Sequence, residues 1–186
     1  MPLEAYAEAR NDFRAVTMAH KKSRCVALRD HIMLIFEDEL TIRYQVQEML
    51  RAEKIFEGAG IQDELDAYNP LIPDGSNWKA TMMIEYEDID ERRRMLTQLV
   101  GIEDRVWVQV AGFERVFAIA DEDLERATEE KTSAVHFLRF ELTTEMSRAL
   151  KQGAGLSMGV NHPNYHVTLD QVAPEVRESL LHDLQG

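Results

Sequence analysis

The spacing of apolar and polar residues divides the chain into helical and extended segments. An apolar residue at every third or fourth position is typical of an amphipathic helix, whereas strict alternation is typical of a strand. Helical spacing predicts helices over residues 3–22, 41–56, 61–68, 89–100, 121–131 and 143–151, with a last helix that starts at Pro174. Alternation and short apolar runs predict strands over residues 25–28, 32–36, 78–86, 105–110, 113–119, 133–142 and 156–160.

Between residues 78 and 142 these segments follow the order β-α-β-β-α-β, which is that of a ferredoxin-like unit. The order predicts an antiparallel sheet with helices on one face, in the α+β class, preceded by N-terminal helices and a hairpin. A loop with Pro70, Pro73 and the turn-forming pair Asp74-Gly75 interrupts the pattern. We therefore predict one domain over residues 1–186, with a helix-and-hairpin region at 1–69 and a sheet region at 77–186.

Composition narrows the class of protein. The chain has 186 residues, of which 45% are hydrophobic and 30% charged, values close to those of ordinary globular proteins. Cys25 is the only cysteine, which excludes an internal disulfide, a four-cysteine zinc site and a self-contained iron–sulfur cluster. The longest apolar run, residues 32–36, falls far short of the roughly 20 residues that span a bilayer. The first residues resemble no secretory leader, so we expect a cytoplasmic protein with no membrane partner.

The net charge of −13 argues against binding to nucleic acid. Phosphate backbones are bound mainly through lysine and arginine, and both short basic clusters, at residues 20–24 and 92–94, fit helix surfaces better. The acidic runs at residues 37–39, 85–91 and 121–123 each precede a predicted helix. Acidic side chains stabilise helix N-termini, so local structure accounts for much of the charge.

One carboxylate does not fit that explanation. If the helix runs from residue 41 to 56, Glu53 falls on the apolar stripe formed by Ile42, Val46 and Leu50. A buried carboxylate is costly unless it is paired, protonated or bound to a metal. Two interpretations stay open: an ion pair with an arginine, or a metal ligand or general acid–base.

Three histidines are further candidates. His136 shares the apolar face of its strand with Leu138 and Phe140, where a histidine is either a hydrogen-bonded core residue or a ligand. His162 and His166 flank Pro163, which disfavours a helix, so their spacing is not that of a helical zinc pair. Carboxylate and imidazole ligands together suit iron, manganese or zinc, which makes Glu53, His136, His162 and His166 the candidate metal ligands. No phosphate loop, dinucleotide fingerprint or nucleophile elbow occurs, so the motifs predict no cofactor and no catalytic residue.

Five blocks of the chain resemble a bacterial family of unknown function, DUF3501: QEMLRAEKI at 47–55, DELDAYNPLIP at 63–73, ATMMIE at 80–85, SAVHFL at 133–138 and HPNY at 162–165. In that family the genes often lie beside those of a rubrerythrin-like protein and a GlpC-type iron–sulfur oxidoreductase. The resemblance implies a non-catalytic accessory partner of such a redox system, with a homo-oligomer as one arrangement. Two alternatives stay open: a metal-binding protein or metal-dependent enzyme, and a small-molecule-sensing module.

Overall fold

The computed structural model describes residues 1–122, 126, 128 and 130–185. Within them the helices are α1 (Leu3–Lys22), α2 (Glu39–Ala52), α3 (Gly58–Tyr68), α4 (Ile89–Gln98), α5 (Thr144–Lys151) and α6 (Pro174–Leu181), with short 3-10 helices at Asn69–Leu71 and Ile102–Arg105. The strands are β1 (Cys25–Leu28), β2 (Ile32–Glu37), β3 (Asn77–Ile84), β4 (Val106–Val110), β5 (Val116–Phe117), β6 (Ile119–Ala120), β7 (Val135–Glu141), β8 (Leu156–His162) and β9 (Tyr165–Leu169). The predicted α+β class is confirmed.

The strands form two antiparallel sheets. Sheet 1 has the order β1-β2-β3-β7-β6 and sheet 2 the order β5-β4-β8-β9. Strands from both sequence regions, before and after the proline loop, therefore belong to sheet 1. The pairing of β3 with β7 is the antiparallel contact that a ferredoxin-like unit makes between its first and last strands.

The second strand of the predicted unit departs from that topology, because β4 lies in sheet 2. The strand β4 pairs with β8 in a register that places Val108 opposite Met158. The inward-facing residues of both strands are apolar and buried. Residues 156–169 form the β8–β9 hairpin that supplies this partner. The alternation along β4 thus correctly predicted a strand. The sheet to which this strand belongs is determined by its pairing with a hairpin almost fifty residues further along the chain.

The main core lies between the two sheets. It buries the inward faces of β2, β3 and β7 against those of β4 and β8, and α6 closes one side. Trp78 is fully buried in this core and its indole N–H donates to the carbonyl of Leu180 on α6, 2.9 Å away. A smaller core joins α2 to α1 and α3 through Ile42, Val46 and Leu50.

The helix starts account for two of the acidic runs, as predicted. Asp38 caps α2 by accepting a hydrogen bond from the backbone N–H of Thr41, and Asp88 caps α4 through the N–H of Glu91. The third predicted case, a helix over residues 121–131, lies partly outside the described residues. Asp121 and Glu122 themselves bond to side chains of β7. No helix in the described part of the chain is both long and apolar enough to cross a membrane.

Candidate functional site

His136 occupies the inward face of β7, as its strand pattern predicts. It lies opposite Met82 in the β3–β7 register, and its side chain has no solvent exposure. The ring is held by two side chains: Nδ1 is 2.5 Å from a carboxylate oxygen of Asp121, and Nε2 is 2.8 Å from the hydroxyl of Thr132. A second carboxylate, that of Glu103, lies 3.8 Å from Nε2. A buried imidazole therefore sits between two carboxylates.

The hydrogen-bond partners indicate where the protons of this cluster lie. The carbonyl oxygen of Ser133, 3.1 Å from Nε2 of His136, can only accept a hydrogen bond. The hydroxyl of Thr132 donates to Glu103 at 3.2 Å, which leaves the oxygen of Thr132 to accept from Nε2. Both ring nitrogens thus face acceptors and can donate to them. The geometry therefore fits the interpretation of His136 as a hydrogen-bonded core residue.

Asp121 is positioned by the backbone as well as by His136. Its second carboxylate oxygen accepts a hydrogen bond from the N–H of Phe137 at 2.9 Å, and Nε of Arg126 lies 3.3 Å from the same oxygen. Asp121 adopts a φ of 47°, a left-handed conformation that is uncommon for a residue other than glycine. Sequence reasoning missed Asp121, Glu103 and Thr132, because only the fold brings them to His136.

The predicted burial of Glu53 is wrong. The helix α2 ends at Ala52, Glu53 is its C-cap residue, and the next residue, Lys54, has a φ of 56°. The prediction extended the helix beyond its actual end. Ile42, Val46 and Leu50 are therefore buried as predicted, whereas Glu53 is exposed. Phe56, the last residue of the predicted helix, is 67% exposed for the same reason.

Glu48, and not Glu53, is the carboxylate through which α2 contacts α1. It accepts hydrogen bonds from the phenol of Tyr6 at 2.6 Å and from two guanidinium nitrogens of Arg10 at 2.7 and 2.8 Å. The hydrogen bonds from Arg10 lower the pKa of Glu48 to about 2. This carboxylate stabilises the packing of the first two helices.

His162 and His166, which flank Pro163, have different environments. A turn brings His162 opposite Tyr165. Nε2 of His162 donates to the carbonyl of Val100, and its Nδ1 accepts from the N–H of Asn164. His166 lies on the exposed face of β9. The predicted convergence of Glu53, His136, His162 and His166 is not what the fold produces. Among residues 1–122, 126, 128 and 130–185, no three His, Cys, Asp or Glu side chains lie close enough to hold a metal ion.

An open cleft of about 1010 Å³ lies at one end of sheet 1. Backbone hydrogen bonds order its walls: the N–H of Glu85 donates to the carbonyl of His31, and the N–H of Ile84 donates to that of Ala134. The β1–β2 turn, the end of β3 and the start of β7 therefore follow one another along the cleft. Thr132, bonded to His136 on its buried side, also lines it.

Charges of opposite sign line opposite ends of this cleft. The acidic end is formed by Asp30, Glu85 and Glu87, which belong to the β1–β2 turn and the end of β3. The cationic end is formed by Arg126 and Lys131, which precede β7. The helix α4 contributes one residue of each sign, Glu91 and Arg92. The cleft is therefore suited to a ligand that carries both charges.

An aromatic pair lies at the acidic end. The rings of His31 and Tyr86 are stacked, with centroids 4.0 Å apart and planes inclined by 15°. Nδ1 of His31 is 2.9 Å from the carbonyl oxygen of Glu85 and donates to it, so in the neutral ring Nε2 is a hydrogen-bond acceptor. This part of the cleft offers a flat surface and an acceptor beside the carboxylates.

The fold and the cleft define a class: an α+β protein of two antiparallel sheets with a charged, open cleft at the end of one sheet. The model of a family of proteins of unknown function, DUF3501, matches residues 1–184. The chain belongs to this family, which confirms the resemblance seen in the five sequence blocks. A protein of unknown function from Burkholderia pseudomallei K96243, known from its crystal structure, is 57% identical. The match covers 100% of this chain and 96% of that one, with a TM-score of 0.95. No curated protein matches the chain.

Proposed function

We propose that the protein is a small-molecule-binding module whose ligand is a zwitterion, such as an amino acid or a short peptide, bound in the cleft of sheet 1. The observation that carries the proposal is the separation of charge along the cleft, with carboxylates at one end and cations at the other. A ligand ammonium would face Glu85 and Glu87, and a ligand carboxylate would face Lys131 and the hydroxyl of Ser133. A cleft with a few convergent polar groups is the usual form of a small-ligand site.

The size of the cleft favours a peptide over a single amino acid. Small-ligand pockets range from about 300 to 1,000 Å³, and this cleft lies at the upper end of that range. The stacked ring of His31 gives the middle of a peptide a flat surface and one acceptor for an amide N–H.

The test is calorimetric titration of the full chain with glutamine, diglycine and glutathione. We expect saturable binding of at least one of them, and we expect Glu85→Gln and Lys131→Gln each to weaken it about tenfold, since each removes one charge-assisted contact. Lys22→Gln, on the exposed end of α1, is the matched control and is expected to leave binding unchanged. Absence of binding by all three probes, or binding that neither cleft variant alters, would contradict the proposal.

The resemblance supports a second role, that of a non-catalytic accessory partner in a cytoplasmic redox system with an iron–sulfur oxidoreductase or a rubrerythrin-like protein. The net charge of −13 supports it, because an acidic protein associates faster with a basic partner surface. The carboxylates of residues 85, 87, 88, 90 and 91 are all exposed at the start of α4.

Co-purification with the neighbouring iron–sulfur protein tests this role. We expect association at low salt that weakens at moderate salt, because ions screen exposed charges. Lack of association at both salt concentrations would exclude the role, whatever the outcome of the ligand titration.

A further inference from the structure

A second, smaller cavity lies against the outer face of sheet 1 and shares no lining residue with the cleft. Its volume is about 220 Å³, and it separates the outer face of β3 and β7 from α3 and the 3-10 helix that follows. Pro70, Leu71 and Phe137 give it apolar walls, and Lys79 of β3 lines it. It therefore places an amine in a confined, largely apolar space.

The charged neighbours of Lys79 are already paired with other groups. Arg139 lies opposite Lys79 on β7, and its guanidinium donates two hydrogen bonds of 2.7 Å to Glu122 and another to Glu141. Glu37 lies opposite on β2 and accepts a hydrogen bond from the hydroxyl of Thr81 at 2.7 Å. Among the described residues, no carboxylate lies within 4.0 Å of the ammonium of Lys79.

The environment of Lys79 favours its neutral form. Burial lowers the pKa of Lys79, and the cation of Arg139 lowers it further. The carboxylates of Glu122, Asp74 and Glu141 act in the opposite direction but do not cancel these effects. Asp66 on α3 also lines the cavity. A lysine next to a second cation and partly removed from water is the usual arrangement of a nucleophilic amine.

We propose that Lys79 is a carbonyl-reactive amine that forms an imine with a short, uncharged aldehyde in this cavity. The apolar walls and the fully paired Arg139 disfavour an anionic ligand, and 220 Å³ is about seven times the volume of a water molecule in the liquid. This site is separate from the cleft, and the proposal does not rest on the function proposed there.

The reaction balances without an oxidant or reductant. The lone pair of Nζ adds to the carbonyl carbon, the C=O electron pair moves to the oxygen, and a proton transfers from nitrogen to oxygen to give a carbinolamine. The hydroxyl then takes a proton from the solvent and leaves as water while the nitrogen lone pair forms the C=N bond, and the N–H of the resulting iminium returns a proton to the solvent. Amine and aldehyde thus become imine and water.

The test is reductive trapping of the full chain with butanal and cyanoborohydride at neutral pH, followed by peptide mass mapping. Cyanoborohydride converts the imine to a stable secondary amine. We expect Lys79 to be labelled at least several-fold faster than the other five lysines, because its lowered pKa raises the fraction of neutral amine at neutral pH. The advantage is expected to disappear in concentrated urea, where burial and the Arg139 neighbour are lost.

Two variants sharpen the result. Lys79→Arg is expected to remove the fast label, and Arg139→Gln is expected to slow it because Glu122 and Glu141 are then free to pair with Lys79. The test does not depend on either variant, because mass mapping of the unaltered chain already shows whether Lys79 is labelled fastest. Labelling of Lys79 at the rate of the exposed lysines, or more slowly, would overturn the proposal.

Discussion

Replacement of His136 with phenylalanine is expected to lower the free energy of unfolding by about 3–5 kcal/mol. The ring of His136 lies between the carboxylates of Asp121 and Glu103, whose side chains are no more than 10% exposed. Phenylalanine fills the space but donates no hydrogen bond, so Asp121 loses the donor at Nδ1, and the hydroxyl of Thr132 and the carbonyl of Ser133 lose the donor at Nε2. Urea denaturation followed by circular dichroism measures the loss.

His166→Phe is the matched control for this variant, because His166 is exposed on β9. A surface change of this kind is expected to shift the free energy of unfolding by no more than about 0.5 kcal/mol. Adding Asp121→Asn to His136→Phe is expected to recover part of the loss, since it removes the charge of the carboxylate that has lost its imidazole donor. A loss below about 1 kcal/mol for His136→Phe would contradict the account of the cluster as a stabilising network.

Local patterns were sufficient to predict most elements of secondary structure. Residues 3–22 form a helix with the predicted bounds, residues 25–28 and 32–37 form the predicted hairpin, and Pro174 starts the last helix. In each case the decisive signal lies within the segment: helical spacing, alternation, or a proline at the first turn. The end of α2 was missed because the predicted helix was extended to residue 56, whereas α2 ends at Ala52 and residues 58–60, predicted to lie between two helices, begin α3.

The sites could be predicted only in part, because contacts distant in sequence build them. Strand alternation correctly placed His136 in the core, but its partners Asp121 and Glu103 lie 15 and 33 residues away and follow no shared period. Glu53 was assigned to the core by extending a helix that had already ended. The cleft joins three segments that meet only because β2, β3 and β7 are neighbours in sheet 1.

Arg24 is the second buried charge on which the fold depends. It is 1% exposed, and its guanidinium lies 2.5 Å from a carboxylate oxygen of Asp183, near α6, and 3.5 Å from one of Asp38, at the start of α2. It also donates to the carbonyls of Phe36 and Glu37. Arg24→Met is expected to lower the free energy of unfolding by about 3–5 kcal/mol, because two carboxylates lose their buried counter-charge. Arg93→Met, which breaks an exposed ion pair with Asp90, is the control and is expected to cost less than about 1 kcal/mol.

The destabilisation by Arg24→Met is expected to depend on pH. Burial opposes ionisation of Asp38, but Thr41, His20 and Arg24 together hold its pKa below 3.8. The contribution of Asp38 to stability is therefore present above pH 3.8 and is lost as the pH falls through the folded pKa. Burial raises the pKa of Asp183 above 3.8, although Arg24 opposes the shift. The contribution of Asp183 to stability is therefore present below pH 3.8 and is lost as the pH rises through the folded pKa.

Without Arg24 the pKa of both carboxyls rises, since Arg24 favours the ionised form of each. The difference in unfolding free energy between the parent and Arg24→Met should therefore be largest near neutral pH and shrink as the pH approaches 4. Urea denaturation of both chains across this range measures the difference directly. A difference that stays constant with pH would show that lost packing, and not the charge of Arg24, accounts for the destabilisation.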